Sequence, residues 1–229
     1  MTHAHAHPPH ELTDSHHGTP HAEPPDRMER LLELGAVLLL ALTSLATAWS
    51  GYQAARWSGE QSQHYANASA LRIKAQAQAT SAGQLRIDDL ILFNGWLEAR
   101  EAGDTRLATI YRSRFRPAFE PAFAAWMAQR PFSGAAAVPG PLYQPEYRLE
   151  ETARAAALDA QANDLFRDGT EAKTSDDRYI LSTVFFAAVL FFAGISLRLD
   201  WRPLRIAVLG MAAVMLIGGL GFVATLPIA

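Results

Sequence analysis

Two uncharged apolar runs near the end of the chain decide its fold. Residues 179–197 read YILSTVFFAAVLFFAGISL, and residues 206–228 read IAVLGMAAVMLIGGLGFVATLPI. A helix needs about 20 apolar residues to cross the hydrocarbon core of a bilayer, and each run supplies that number. Because the connector between them is so short, the two runs predict an antiparallel transmembrane hairpin.

A third apolar run, LLELGAVLLLALTSLATAW at residues 31–49, predicts one more span. The aromatic side chains that follow it are typical of an interfacial belt: Trp49, Tyr52 and Trp57. Glu33 lies one turn inside this run, and we expect it to reach the interface. The alternative is a signal peptide cleaved after the small residues 46–48. The helical pattern continues past Trp49, which favours an uncleaved anchor.

Arginine placement predicts the orientation. Arg27 and Arg30 precede the first span, and the connector between the last two spans carries Arg198, Arg202 and Arg205. Short arginine-rich loops stay in the cytoplasm, whereas long domains cross the membrane largely regardless of charge. We therefore expect a bacterial inner-membrane protein with its N-terminus in the cytoplasm and its large middle region outside.

The predicted fold is all-α, with three transmembrane helices and an extracytoplasmic up-down helical bundle or long helical hairpin. The predicted parts are a His-rich tail (1–27), the first span (28–51), an extracytoplasmic helical domain (52–177) with a Pro/Gly-rich loop (130–145), the second span (178–199), a connector (200–204) and the third span (205–229).

Within the middle region, residues 52–82 are rich in Ala and Gln and predict a helical continuation of the first span. Gly83 is a candidate break. Asp104 follows Gly103 and is a candidate helix N-cap. A final helix from about Glu146 is expected to pass directly into the second span, with Gly169 as a possible irregularity.

Aromatic residues recur at helical spacing after Pro117. Phe119, Phe123 and Trp126 predict an aromatic ridge on one helix face, in a segment that Pro117 and Pro121 kink or restart. The loop at 130–145 offers apolar side chains that could dock on a core: Phe132, Leu142 and Tyr143. We expect this loop to drape over the helices.

The first 26 residues carry seven of the eight histidines and almost nothing apolar, which predicts a disordered tail. Neutral imidazoles could share a divalent transition-metal ion. The candidate ligands are His3, His5, His7, His10, His16, His17 and His21. Their spacing is irregular and no cysteine completes a geometry, so weak, incidental binding is the alternative to a functional metal site.

Few other residues could carry chemistry. Glu60 and His64 share a helix face, but a di-metal bundle site needs two Glu-x-x-His repeats, so a solvated face is expected. Asp88 and Asp89 are adjacent and point to different sides of a helix, which excludes a carboxylate dyad. No nucleophile elbow, phosphate loop or zinc-peptidase helix occurs. We expect neither an enzyme nor a resident cofactor, and the net charge of -3 gives no strong pull toward nucleic acid or anionic lipid.

Small residues recur along the spans. The third span presents Ala207, Gly210, Gly218, Gly221 and Thr225 on about one face, and the first span carries Thr43, Thr47 and Gly51 four residues apart. Such faces let helices approach closely in lipid. Packing within the three-span monomer is the preferred interpretation, and packing between subunits is the alternative.

Four segments look familiar: AWSGYQAARWSGEQ (48–61), FRPAFEPAFAAWM (115–127), PLYQPEYRLEE (141–151) and DDRYILSTVFFAAVLFFAGIS (176–196). They resemble a family of uncharacterised bacterial inner-membrane proteins, a domain of unknown function. Its members have one N-terminal span, a helical extracytoplasmic region and a C-terminal hairpin. The resemblance implies the three-span topology and transfers no functional residue.

Three functional hypotheses remain. The first is a structural or interaction protein, an accessory subunit whose helical bundle docks a protein partner in the envelope or a second copy of itself. The second is a sensor or transport component that recruits a separate output subunit, since the cytoplasmic side offers only a tail and a short connector. The third is metal handling through the tail.

Overall fold

The computed structural model describes residues 27–133 and 138–229, and over these residues the chain is built from α-helices without a strand. The helices are α1 (Arg27–Glu101), α2 (Thr105–Ser113), α3 (Glu120–Ala128), α4 (Glu150–Ser196) and α5 (Arg202–Ala224), with one 3-10 turn at Pro141–Tyr143. Helices α1, α4 and α5 are long and apolar enough to cross a membrane. The all-α prediction with three candidate spans is confirmed.

Helix α1 contains 75 residues and is therefore about 110 Å long. It continues unbroken past Trp49, as predicted, and also through Gly83, where the predicted break is wrong. A single glycine costs an α-helix only about 1 kcal/mol relative to alanine. The packing of α1 against a second helix offsets so small a cost.

That second helix is α4, which contains 47 residues and is about 70 Å long. It runs antiparallel to α1: Tyr65 Oη lies 3.4 Å from Thr170 Oγ1, and Arg72 donates a 3.2 Å hydrogen bond to Asn163 Oδ1. Helix α4 passes directly from the middle region into the second candidate span, as predicted.

The predicted irregularity at Gly169 is absent, because α4 runs through this position as regular helix. The glycine serves close packing. A Cβ atom added there would lie 2.6 Å from the ring of Tyr65 and 3.2 Å from Cβ of His64. Tyr65 also stacks on Phe166, with 5.1 Å between ring centroids. Gly169 thus allows α1 and α4 to approach where an aromatic ring lies between them.

Burial along α1 recurs at multiples of seven residues. The buried positions of this series are Ala54, Ala68, Ala75, Ala82, Asp89 and Trp96. On α4 the buried residues Ala172, Tyr179, Phe186 and Ala193 follow the same period. A seven-residue period keeps one face of each helix against its partner over a long distance. We call residues 52–83 of α1 and 153–177 of α4 the stalk.

The stalk leads to a compact unit that we call the head, made of residues 84–133 and 138–152. Its core is a cluster of buried side chains, nearly all aromatic: Phe93, Trp96, Phe115, Phe119, Phe123, Trp126 and Leu142. The predicted ridge of Phe119, Phe123 and Trp126 lies at its centre. Edge-to-face contacts dominate, such as Trp96 on Phe123 with centroids 4.9 Å apart. Such pairs add to the free energy gained from burial alone.

Local signals place the short helices around this core. Gly103 adopts a φ of 77°, which reverses the chain after α1. Asp104 then caps α2 as predicted, since its side chain accepts a 2.9 Å hydrogen bond from the backbone N–H of Leu107. Pro121 lies in the first turn of α3, where the missing N–H is tolerated.

The Pro/Gly-rich loop docks in part as predicted, over the residues that the structure describes. Leu142 is buried in the aromatic core, and Phe132 packs edge-on against Trp126 with centroids 5.6 Å apart. Tyr143 does not dock, because 75% of its surface is exposed. The 3-10 turn at Pro141–Tyr143 directs Leu142 inward, so its neighbour points away.

At the opposite end, α1, α4 and α5 share an apolar core of Leu39, Phe186, Val189, Ala193, Ala212 and Leu216. The small residues of the third span, which were expected to pack inside the monomer, are exposed instead. On α5, Ala207, Gly210, Gly218, Gly221 and Thr225 are all exposed, and nothing lies within 4 Å of a Cβ placed on the three glycines. The buried face is rotated to Ala212, Leu216 and Gly219, because the ring of Phe186 fills the space over Gly219. The preferred interpretation of that stripe is therefore wrong.

The small residues of the first span differ in burial. Thr43 is fully buried and donates a 2.6 Å hydrogen bond to the carbonyl of Leu39. Thr47 is half-buried, and Gly51 faces open space. Only the Thr43 end of this face packs inside the chain.

Candidate functional site

The histidines proposed as metal ligands, His3, His5, His7, His10, His16, His17 and His21, lie outside the described residues. Within the described ranges, no three histidine, aspartate or glutamate side chains lie close enough together to hold a metal ion. Glu60 and His64 are half-buried and line a groove of about 400 Å³ between α1 and α4, opposite Asp168 and Glu171. Four ionisable side chains line this groove among apolar surface, and they form no metal-binding group.

Sequence reasoning missed a buried charge cluster that joins three parts of the head. Asp89 of α1 is 1% exposed. Arg116, from the turn between α2 and α3, donates from Nε to Asp89 Oδ1 at 3.0 Å and from Nη2 to Oδ2 at 2.5 Å. Tyr147, just before α4, donates from Oη to the same Oδ2 at 3.0 Å. We call these three residues the carboxylate lock.

The electrostatics of the lock follow from its geometry. The hydrogen bond and charge of Asp89 raise the pKa of Arg116, which therefore stays protonated. Burial, followed by the hydrogen bond to Asp89, raises the pKa of Tyr147 to about 12. A permanently charged arginine and a permanently protonated tyrosine hold both carboxylate oxygens at neutral pH. The arrangement fixes three segments and offers no free base.

The prediction that Asp88 and Asp89 point to different sides is confirmed, since Asp88 is exposed. The importance of Asp89 was missed because its partners are 27 and 58 residues away. One signal was present in the sequence. Asp89 lies seven residues after Ala82 and seven before Trp96, in the buried series of α1. A carboxylate in a buried series needs a partner.

A second ion pair in the head joins α2 to α3. Arg112 of α2 holds Glu120 of α3 through two hydrogen bonds of 2.6 Å each. The same guanidinium lies over the ring of Phe123, 4.1 Å from its centroid. The two short helices are therefore fixed to one another as well as to α1.

The outer surface of the head carries apolar side chains that the core does not use. On α1, Ile87, Leu90 and Ile91 are exposed to 57%, 44% and 60%, and their spacing places them along one side of the helix. On α2, Leu107 and Ile110 are each 40% exposed. We call Ile87, Leu90 and Ile91 the apolar face of the head. It is the candidate binding surface of the chain.

The predicted aromatic belt is only partly a free surface. Trp49 and Tyr52 are exposed. Trp57 instead donates from Nε1 to the carbonyl of Pro227 at 3.1 Å, and Tyr179 donates from Oη to the same carbonyl at 3.1 Å. The residues after α5 are thereby held against α1 and α4, where the stalk meets the spans.

At the other end of the spans lies the connector between α4 and α5. Trp201 is 67% exposed, whereas Arg205, in the first turn of α5, is only 8% exposed. Glu33 is exposed, and no ion pair joins it to another described residue.

No protein family, curated protein or solved structure matches this chain.

Proposed function

We propose that this chain is a membrane-anchored interaction protein of the bacterial inner membrane, an accessory subunit whose extracytoplasmic head docks a protein partner. The observation that supports it is the apolar face of Ile87, Leu90 and Ile91, presented on a head whose own core is already complete. Exposed apolar side chains grouped on one surface are typical of a protein-binding site.

The shape of the chain supports the same proposal. About 30 residues of unbroken helix separate the first span from the head, so the head would stand roughly 50 Å from the membrane. The seven-residue burial period favours a coiled-coil stalk, which is stiff over such a distance. The carboxylate lock and the Arg112–Glu120 pair hold the head together without a disulfide. A stiff stalk and a rigid head suit a protein that holds a partner at a fixed distance from the membrane.

The test uses a photoreactive side chain in the native host. p-Benzoylphenylalanine replaces Ile91 in one variant and Ile73 in a control, because Ile73 is an isolated exposed apolar residue of the stalk, 72% exposed. Irradiation, gentle detergent extraction and mass spectrometry identify what is joined. We expect one discrete product from position 91. Equal products from both positions, or none from position 91, would contradict the proposal.

The proposed orientation has its own test. The chain contains no cysteine, so a single cysteine at Asp88 or at Arg198 can be labelled alone. A membrane-impermeant maleimide added to intact spheroplasts should label the cysteine at position 88 and leave that at position 198 unlabelled. The reverse pattern would place the head in the cytoplasm.

The alternative function is a sensor or transport component that recruits a separate output subunit. One observation favours it: α4 runs without a break from the head through the second candidate span. A displacement of the head would then move the connector end of α4. A crosslinked product at the connector, with none at position 91, would favour this alternative.

In both proposals the chain is no enzyme and holds no cofactor. A third hypothesis, metal handling by the tail, would be refuted by unchanged metal tolerance after deletion of residues 2–26.

A further inference from the structure

The connector end of the spans contains an arginine, Arg205, for which the described residues supply no counterion. Arg205 is 8% exposed, and its Nε atom is buried without a hydrogen-bond partner among the described residues. None of the ion pairs between described residues includes it. A guanidinium removed from water is costly unless an anion compensates it. Over the part of the chain that the structure describes, Arg205 Nε is therefore a buried donor without an acceptor.

The start of α5 adds a second attraction for an anion at the same place. No side chain caps this helix, and its first turn contains Pro203. The uncapped N-terminus carries the positive end of the helix dipole. Side chains of a helix lean toward its N-terminus, so the Arg205 side chain extends toward that same end. The helix terminus and the guanidinium thus lie at the same end of α5.

The surroundings identify the kind of anion. Trp201 is 67% exposed in the connector, and tryptophan is enriched at the headgroup level of membranes. Leu204 and Ile206, on either side of Arg205, are 41% and 49% exposed and offer apolar surface that suits acyl chains. An anion that brings its own apolar chains to this depth is a phospholipid.

We propose that Arg205 and the N-terminus of α5 bind the phosphate of an anionic phospholipid. Arginine forms a fork of donors that matches a phosphate. Residues 198–205 carry three arginines against one aspartate, Asp200, so the connector has a net charge of +2. That charge repels the choline of a zwitterionic lipid and attracts a headgroup without a cation. The site lies at the opposite end of the chain from the head and does not depend on the proposed function.

The test is native mass spectrometry of the full chain, delipidated in mild detergent and then incubated with equal amounts of phosphatidylglycerol and phosphatidylcholine. We expect one retained phosphatidylglycerol. Arg205→Gln should weaken its binding by at least about tenfold, because charge-assisted hydrogen bonds are lost. The matched control is Arg198→Gln, which removes an exposed charge of the same connector and should change binding by less than about threefold.

Arg205→Lys protects the test against misfolding, since it keeps the charge and loses only the fork. We expect binding between that of the wild type and that of Arg205→Gln. A third arm adds inorganic phosphate to the wild type and measures its thermal stability in detergent. Equal retention of both lipids, wild-type binding by Arg205→Gln, or equal stabilisation by inorganic phosphate and phosphatidylglycerol would each overturn the proposal.

Discussion

At the scale of single residues, the stability of the head depends on Asp89. Its carboxylate is buried, and three donors from two other segments saturate it. Removing one member of such a cluster costs more than its formation contributes, because the remaining charge stays buried and unpaired. Arg116 keeps a quarter of its side chain exposed, which lowers that cost.

Asp89→Asn should therefore destabilise the head by about 3 kcal/mol. The amide keeps the shape of the carboxylate but loses its charge, so Arg116 and Tyr147 lose a common acceptor. The measurement is hydrogen exchange of peptides from α2 and α3 in the detergent-solubilised full chain. Asp88→Asn is the matched control, since Asp88 is exposed and should change protection by less than about 0.5 kcal/mol. Similar exchange in both variants would refute the lock.

Because of Tyr147, the head should lose stability as the pH becomes strongly alkaline. Its pKa is raised from 10.0 to about 12 by burial and by the hydrogen bond to Asp89. The folded head holds this proton more tightly than the unfolded chain does. The corresponding stabilisation is complete below pH 10 and is lost as the pH rises to about 12.

Tyr147→Phe should cost about 2 kcal/mol at pH 8, because Asp89 loses one donor. The same variant should lose less stability than the wild type between pH 10 and about 12, since no phenol remains to ionise. Near-ultraviolet circular dichroism melts at pH 8 and pH 11 measure both effects. Tyr143→Phe, at a phenol that is 75% exposed, is the control and should follow the wild type. A constant difference between Tyr147→Phe and wild type at both pH values would contradict the assignment.

At the scale of elements, two glycines of the stalk differ in the space available for a side chain. Gly169 of α4 faces the ring of Tyr65, which would lie 2.6 Å from an added Cβ, whereas nothing lies within 4 Å of such an atom at Gly83 of α1. Both positions are regular helix. An alanine is therefore disfavoured by packing at Gly169 and favoured by helix propensity at Gly83.

Gly169→Ala should destabilise the stalk by about 1–3 kcal/mol, because α1 and α4 must separate or Tyr65 must leave its rotamer. Gly83→Ala should stabilise it by up to about 1 kcal/mol. Thermal unfolding followed by helical circular dichroism in detergent measures the two shifts. Effects of the same sign would show that the packing of Tyr65 against Gly169 does not limit the approach of the helices.

The elements also show what a sequence can predict. The ridge of Phe119, Phe123 and Trp126 and the cap at Asp104 depend on neighbours within one or two turns, so spacing alone revealed them. The break at Gly83 was wrong because packing against α4 outweighs the local preference of one residue. The partners of Asp89 and the orientation of the α5 stripe depend on how distant segments meet. No local pattern contains that information.

At the scale of the whole molecule, the level of the head is set by the register of two antiparallel helices. Tyr65 lies opposite Thr170 and Arg72 opposite Asn163, so each step toward the head on α1 is matched by a step back on α4. Both helices pass on into the head, where Asp89 of α1 binds Tyr147 just before α4. The stalk and the lock therefore constrain one another.

A paired deletion of residues 73–79 from α1 and 156–162 from α4 should shorten the stalk and leave the head intact. Each deletion removes seven residues, one burial period, so the remaining buried series stay in phase. The head should move toward the membrane by about 10 Å. Spin labels on cysteines at Ser58 and Arg106 report this distance by double electron–electron resonance in nanodiscs, and hydrogen exchange of α3 reports the lock. Deleting 73–79 alone leaves α4 longer by the same amount, so Asp89 can reach Tyr147 only if the register slips. That variant should lose the protection of α3. Full protection of α3 in that variant would show that α1 and α4 are not held in a fixed register. The stalk would then not be stiff enough to set the distance of the head from the membrane.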